Sequence, residues 1–204
     1  MAEHWEEVVR VFEALSYIVK STDKDGLDLF FTISKTSNKG VSETSRLTHV
    51  VEGHKRISDG AKTDINIRLT QILERYTDNL QRKGLLSLRG SKPKPLSLYI
   101  FTNGIWEKEV NAEKPIVNAV KKLTDLRKDR LQIGIQFISF GNDPKGMARL
   151  EHLDKGLDVP TYVFFVHYDT SHTDYALQRH CGYRAIERKC LEDAPRIHQR
   201  KFRR

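Results

Sequence analysis

The sequence has few cysteines and no long hydrophobic run. Its 204 residues include two cysteines, Cys181 and Cys190, and both lie near the C-terminus. A disulfide framework like that of small secreted domains is therefore excluded for the main body. No apolar run approaches the roughly 20 residues that a helix needs to span a bilayer. We therefore predict a protein without a membrane-spanning segment.

Targeting signals and phosphate-binding loops are also missing. The first residues are acidic and lack the basic start and apolar core of a secretory signal peptide. We therefore expect an intracellular, cytoplasmic protein. Neither GxxxxGK[ST] nor GxGxxG occurs in the sequence, and their absence argues against nucleotide binding.

The composition is that of a globular protein with a basic tail. Hydrophobic residues make up 38% of the chain and charged residues 30%, which is enough apolar material for one sizeable domain and an appendage. The formal net charge is +8. From Arg179 onward, nine basic and three acidic residues hold six of these eight charges. The main body is therefore close to neutral.

Helical and strand patterns alternate along the chain. Apolar residues at helical spacing predict helices at 3–20, 44–57, from Thr63 or Asp64 to Gly84, at 115–126 and at 144–157. Short apolar runs between turn residues predict strands at 27–33, 96–102, 133–140 and 162–166, and a polar loop at 34–43. This alternation predicts an α/β fold with right-handed crossovers.

The strand at 96–102 is central to the interpretation. It follows two prolines, ends before Asn103-Gly104, and is apolar nearly throughout, as expected for a strand buried on both faces of a parallel sheet. Ligands of open α/β sheets bind outside the carboxyl ends of the strands. Thr102 and Asn103 are therefore the first candidates for a binding site.

Four motifs resemble a known family. They are DGLDLFF (25–31), KTDI (62–65), KPLSLYIFTNG (94–104) and IGIQFISFGND (133–143), followed by LEHLD at 150–154. In this order they are similar to the von Willebrand factor A (vWA) domain, and closest in wording to its fungal branch. The resemblance implies a Rossmann-like, doubly wound, mostly parallel sheet with helices on both faces. It assigns this domain to residues 1–160 and leaves 161–204 as a basic C-terminal extension.

The resemblance also implies a candidate metal site, in a degenerate form. The family holds a divalent cation, usually Mg²⁺, with a DxSxS triplet after the first strand, a threonine and an aspartate. Matching the motifs places the threonine at Thr63 and the aspartate at Asn103, whose neutral amide attracts Mg²⁺ less than a carboxylate does. The first strand and its DxSxS are missing, so we expect no certain cofactor. In the family that strand lies between those at 27–33 and 96–102, which must then pair directly or leave backbone groups unpaired.

Two functions fit these observations. The first is a non-enzymatic protein-interaction module that binds an unknown protein partner through Thr63, Thr102, Asn103 and Gly104. The alternative is binding of nucleic acid or another acidic surface through the basic tail, in which Tyr183 and Phe202 are interleaved.

Two further chemistries have weak support. A zinc site could draw on side chains whose spacing is poor for four converging ligands: His180, Cys181, Cys190 and His198. A hydrolase could draw on His167, Asp169, Ser171 and His172, but no nucleophile signature accompanies them. We therefore predict that the protein is not an enzyme.

Overall fold

The fold is described from a computed structural model. The described residues are 1–22, 25–34, 37–55, 64–86, 94–107, 110, 112–157 and 163–168. The chain forms two compact units, Met1–His167 and Tyr168–Arg204. Of the second unit the structure describes Tyr168 alone, so most of the predicted basic extension lies outside the described residues.

The described part is a mixed α/β structure, as predicted. Its α-helices are α1 (Trp5–Thr22), α2 (Thr44–Gly53), α3 (Ile65–Leu86), α4 (Glu113–Asp125) and α5 (Pro144–Glu151), which continues as a short π-helix (His152–Gly156). Its strands are β1 (Leu27–Phe30), β2 (Ser37–Val41), β3 (Leu96–Thr102), β4 (Ile133–Phe140) and β5 (Val163–Tyr168). None of the helices in the described part combines the length and hydropathy needed to cross a membrane.

Two local predictions were wrong. The predicted loop at 34–43 contains β2, which pairs antiparallel with β1 from Leu27↔Val41 to Phe30↔Ser37. The side chain of Asp28 accepts a hydrogen bond from the Gly40 N–H at 2.8 Å, which fixes this pairing. Helix α3 also continues past Gly84 to Leu86, because one glycine costs a helix only about 1 kcal/mol.

Strand β3 pairs with β4 in parallel, in register from Leu96↔Ile133 to Thr102↔Ser139. The strand order of this sheet is β3-β4-β5. The sequence left two alternatives for β1 and β3, direct pairing or unpaired backbone groups. Among the described residues the two strands belong to separate sheets and do not pair directly.

Helices contact both faces of the β3–β4 pair. On one face, α3 and α4 form an apolar core with the odd-numbered residues of β4. Its most buried members include Leu73, Ile116, Leu123, Ile135 and Phe137. On the other face, Phe12 of α1 contacts Phe101, which stacks on Phe140; both pairs of ring centroids are 5.9 Å apart.

One side chain caps the start of α3, and another attaches the helix to the strands. Asp64 caps the helix by accepting the Ile67 N–H at 3.2 Å, which settles the choice between Thr63 and Asp64 in favour of Asp64. The Tyr76 hydroxyl lies 2.7 Å from the Lys94 carbonyl oxygen and 3.0 Å from that of Gln132. Tyr76 therefore ties α3 to the amino ends of β3 and β4. Partial burial raises the pKa of the Tyr76 phenol above its ordinary value of about 10.

We expect Tyr76→Phe to lower the free energy of unfolding by about 1 kcal/mol near neutral pH, the net value of a typical hydrogen bond. Because the folded-state pKa is raised, the stability from Tyr76 is fully present below the unfolded-state pKa. It is lost as the pH rises through the folded-state pKa. The difference between wild type and variant in urea unfolding should therefore shrink above about pH 10. Parallel pH profiles for the two proteins would contradict this role.

Candidate functional site

The hydroxyl oxygen of Thr102, the last residue of β3, accepts hydrogen bonds from the loop that follows the strand. The residue is 5% exposed, and its Oγ1 accepts hydrogen bonds from the Gly104 N–H at 3.1 Å and from Trp106 Nε1 at 2.9 Å. A hydroxyl oxygen has two lone pairs, and these two donors use both. The oxygen of Thr102 therefore holds the following loop in place and has no lone pair left for a ligand.

Asn103 and Gly104 form a tight turn. The Asn103 Oδ1 accepts the Ile105 N–H at 3.2 Å, which is an Asx turn. Gly104 has φ +70°, and a Cβ added there would lie 2.5 Å from the carbonyl oxygen of Gly146 in α5. Only glycine fits this position, because both the backbone angle and the available space exclude a side chain.

The first turn of α5 provides the other side of this contact. Asp143 caps the helix by accepting the N–H groups of Lys145 at 3.0 Å and Gly146 at 2.9 Å. A Cβ added to Gly146 would lie 2.3 Å from the carbonyl oxygen of Asn103. The segments that follow β3 and β4 therefore meet backbone to backbone.

Arg149 of α5 secures the segment 103–107, here called the β3 loop. Its Nη1 donates to the carbonyl oxygens of Gly104 at 3.1 Å and Trp106 at 3.3 Å. Its guanidinium carbon also lies 5.3 Å from the centroid of the Trp106 ring, which is within range of a cation–π contact. The Trp106 ring in turn lies 6.4 Å from that of Phe137 in the core. The β3 loop is thus fixed by side chains from the core and from α5.

Ile105 is the large apolar side chain that this loop exposes. It is 54% exposed, although the residues on both sides of it are held by hydrogen bonds. Our sequence reasoning missed Ile105, Trp106 and Arg149. The signal available was the pair of large apolar residues, Ile105 and Trp106, directly after the Asn-Gly turn.

The described residues do not fit a magnesium site. Thr63, one of the two predicted ligands, lies outside the described residues. The other, Asn103, offers a neutral oxygen that already accepts the Ile105 N–H. Within the described ranges, no three histidine, cysteine, aspartate or glutamate side chains come together as a metal site would require. These residues therefore supply neither the charge nor the oxygen count that Mg²⁺ requires.

Comparison with known proteins identifies no relative: no family model, no curated protein and no solved structure matches the chain. The vWA resemblance therefore stays a prediction that rests on the four sequence motifs.

Substituting Gly104 tests the contact between the β3 loop and α5. We expect Gly104→Ala to lower the free energy of unfolding by at least about 2 kcal/mol, because it adds both backbone strain and an overlap with Gly146. Gly134→Ala in β4 is the matched control: no atom lies within 4 Å of its added Cβ, so we expect a change below about 1 kcal/mol. Chemical denaturation measures both. Equal losses would show that the contact with Gly146 is not the cause.

Metal binding can be tested by thermal unfolding. A ligand that binds only the folded state raises its stability, by about 2.7 kcal/mol at a hundredfold excess over Kd. We expect the same Tm in chelator and in excess Mg²⁺, because Asn103 supplies one neutral oxygen and Thr102 none. An upward shift in Mg²⁺ that is lost in Thr63→Ala and Asn103→Ala would contradict this expectation.

Proposed function

We propose that this protein is a non-enzymatic protein-interaction module that binds its partner with the β3 loop. The observation that carries the proposal is the exposure of Ile105 on a loop whose backbone is already fixed. A rigid loop loses little conformational entropy when it binds, so more of the contact energy becomes affinity. An exposed apolar side chain in such a loop is suited to a pocket on a partner.

The residues around Ile105 have the character of a protein interface. Trp106 and Arg149, which pack on each other, belong to the residue types most enriched in binding hot spots. Asn103 and the exposed Lys145 add polar groups beside them, as in the rim that surrounds an apolar anchor. A partner surface with an apolar pocket and hydrogen-bonding groups at its edge would match this arrangement.

The hydrogen bonds of Thr102 support a binding role over a catalytic one. A nucleophilic hydroxyl needs a neighbouring base that accepts its proton. The partners of the Thr102 oxygen are two N–H donors, from Gly104 and Trp106, and these lower its nucleophilicity. The groups at this strand end therefore fit the recognition of a partner better than they fit bond cleavage.

We also propose that the two sheets and their helices are parts of a doubly wound, vWA-like domain. The four ordered motifs support this, as do the helices on both faces of the β3–β4 pair. The alternative function, nucleic-acid or acidic-surface binding by the tail, stays a prediction, because residues 169–204 lie outside the described residues.

A pair of arginine substitutions tests the interface. Ile105 is 54% exposed, and Leu131, in the short 3₁₀ turn before β4, is 53% exposed. Leu131 therefore matches Ile105 in chemistry and exposure but lies at the amino end of β4, whereas Ile105 follows the carboxyl end of β3. We expect Ile105→Arg to reduce partner binding at least about tenfold, which equals 1.4 kcal/mol, and Leu131→Arg to leave it unchanged.

The measurement is quantitative mass spectrometry of proteins that co-purify with the tagged full-length chain and with each variant. Binding of the enriched protein is then titrated with purified components. Circular dichroism melts establish that both variants fold. If Ile105→Arg retains the partner that wild type enriches, or if Leu131→Arg loses it equally, the β3 loop is not the interface.

A further inference from the structure

We propose that the partner of the β3 loop carries an aspartate or glutamate beside its apolar pocket, and that this carboxylate pairs with Arg149. The inference rests on the proposed function, because it names the chemistry of the surface that Ile105 meets. Three features of the described residues carry it: the position of Arg149 next to Ile105, the N–H groups that Arg149 leaves unused, and the basic charge of the adjoining face of α5.

The first feature is the position of Arg149 next to Ile105. Its Nη1 donates to the carbonyl oxygens of Gly104 at 3.1 Å and Trp106 at 3.3 Å, the residues directly before and after Ile105. Ile105 is 54% exposed, and Arg149 is half-buried. A partner surface that encloses the Ile105 side chain therefore also removes water from around the guanidinium.

The second feature is the set of N–H groups that Arg149 leaves unused. A guanidinium has five N–H donors, and those on Nη1 serve the two loop carbonyls. Besides these bonds and its position over the Trp106 ring, Arg149 makes no hydrogen bond, ion pair or ring contact within the described part of the chain. Its Nε and Nη2 therefore keep their donors. These two nitrogens form an edge that can bind both oxygens of one carboxylate in parallel.

The charge of Arg149 determines which acceptor fits these donors. Removing water from a cation costs free energy unless a group of the partner takes its place. Among the described residues, no carboxylate forms an ion pair with Arg149. A carboxylate of the partner supplies two acceptors and the opposite charge at once. An apolar or basic partner surface would instead cover the guanidinium without a counter-ion.

The third feature is the basic charge of α5 beside the loop. Lys145 lies one turn before Arg149 on the same face of the helix, is exposed, and has no ion pair in the described ranges. Of the acidic residues nearby, Asp143 already caps the first turn of α5, and Glu107 has a further interaction of its own. Like charges one turn apart repel each other, and a carboxylate of the partner would offset this repulsion. The face therefore favours acidic partners over basic ones.

A displayed library supplies binding partners of known composition. The probe is a yeast-displayed β-sandwich scaffold whose loops are randomised with equal numbers of Asp, Glu, Lys and Arg codons, and it is selected with the full 204-residue chain. Clones that bind wild type and lose at least about tenfold in affinity with Ile105→Arg are retained, because they use the β3 loop. We expect Asp and Glu to outnumber Lys and Arg in the retained clones at least about twofold.

A double-mutant cycle then assigns the carboxylate to Arg149. In a retained clone, each Asp or Glu is changed to its amide, Asn or Gln, which keeps the shape of the side chain and removes its charge. We expect one such change to weaken binding to wild type at least about tenfold, and to weaken binding to Arg149→Met less than about twofold. A residue that only holds the loop in place would not show this coupling.

Lys121→Met is the matched control, because it removes one positive charge at a distance from the loop. Lys121 is exposed on α4 and adjoins Lys122, which pairs with Asp78 at 3.2 Å. Asp78 lies just beyond Tyr76, the residue of α3 that binds the amino ends of β3 and β4. With Lys121→Met, the amide change in the clone should cost as much affinity as it does with wild type.

Two measurements keep the test independent of the stability of Arg149→Met. The amide changes are made in the clone and leave the chain itself unaltered. Raising NaCl from about 50 mM to about 500 mM should weaken the binding of wild type to the original clone at least about threefold, and to its amide variant by less. Circular dichroism melts establish whether Arg149→Met folds.

The outcomes separate this inference from the proposed function. The inference is overturned if the retained clones show no excess of acidic residues, if every amide change is neutral, or if it costs folded Arg149→Met as much as wild type. In each of these cases the β3 loop remains the interface. If no clone depends on Ile105, the proposed function fails, and the inference fails with it.

Discussion

The contact between Gly104 and Gly146 is the constraint on which the carboxyl end of β3 depends. A Cβ on either residue would lie within 2.5 Å of the other segment's backbone, so the loop after β3 and the first turn of α5 approach as closely as two backbones can. This approach brings the Gly104 carbonyl oxygen within 3.1 Å of Arg149. The same guanidinium then covers the Trp106 ring, whose N–H returns to Thr102. The backbone contact thus lies at the centre of the interactions that hold Gly104 and Trp106 in place.

This geometry changes the roles of the polar residues at the strand end. Polar groups after a parallel strand commonly bind ligands, which is why the sequence pointed to Thr102 and Asn103. Here their oxygens accept N–H groups of the loop itself, from Gly104, Ile105 and Trp106. The polar groups hold the loop in one conformation, and the exposed side chain at its centre is apolar. This arrangement supports the proposed partner with an apolar pocket over a small polar ligand.

Sequence patterns predicted the α/β class and most helices and strands, because periodicity reports which residues are buried. Periodicity failed at β2, because its segment SNKGV is polar and largely exposed. This segment forms a strand by pairing with β1, and the hydrogen bond from the Gly40 N–H to Asp28 supports that pairing. Periodicity also could not show how the β3 loop uses its polar atoms. That depends on Gly146 and Arg149, which lie more than 40 residues further along the chain and which only the tertiary structure brings to Gly104.

Strands β2 and β3 differ in how their sequences suit an exposed position. Proteins protect exposed edge strands with charged side chains, prolines, bulges or short length. Strand β2 follows this rule, with Lys39 and Gly40 in a segment of five residues. Strand β3 does not, because its seven residues LSLYIFT contain no charge and no proline. Its sequence is that of a strand with neighbours on both sides and helices on both faces. Among the described residues β3 pairs with β4 on one side, and helices α1, α3 and α4 pack on its two faces, so its apolar sequence reflects burial by these helices.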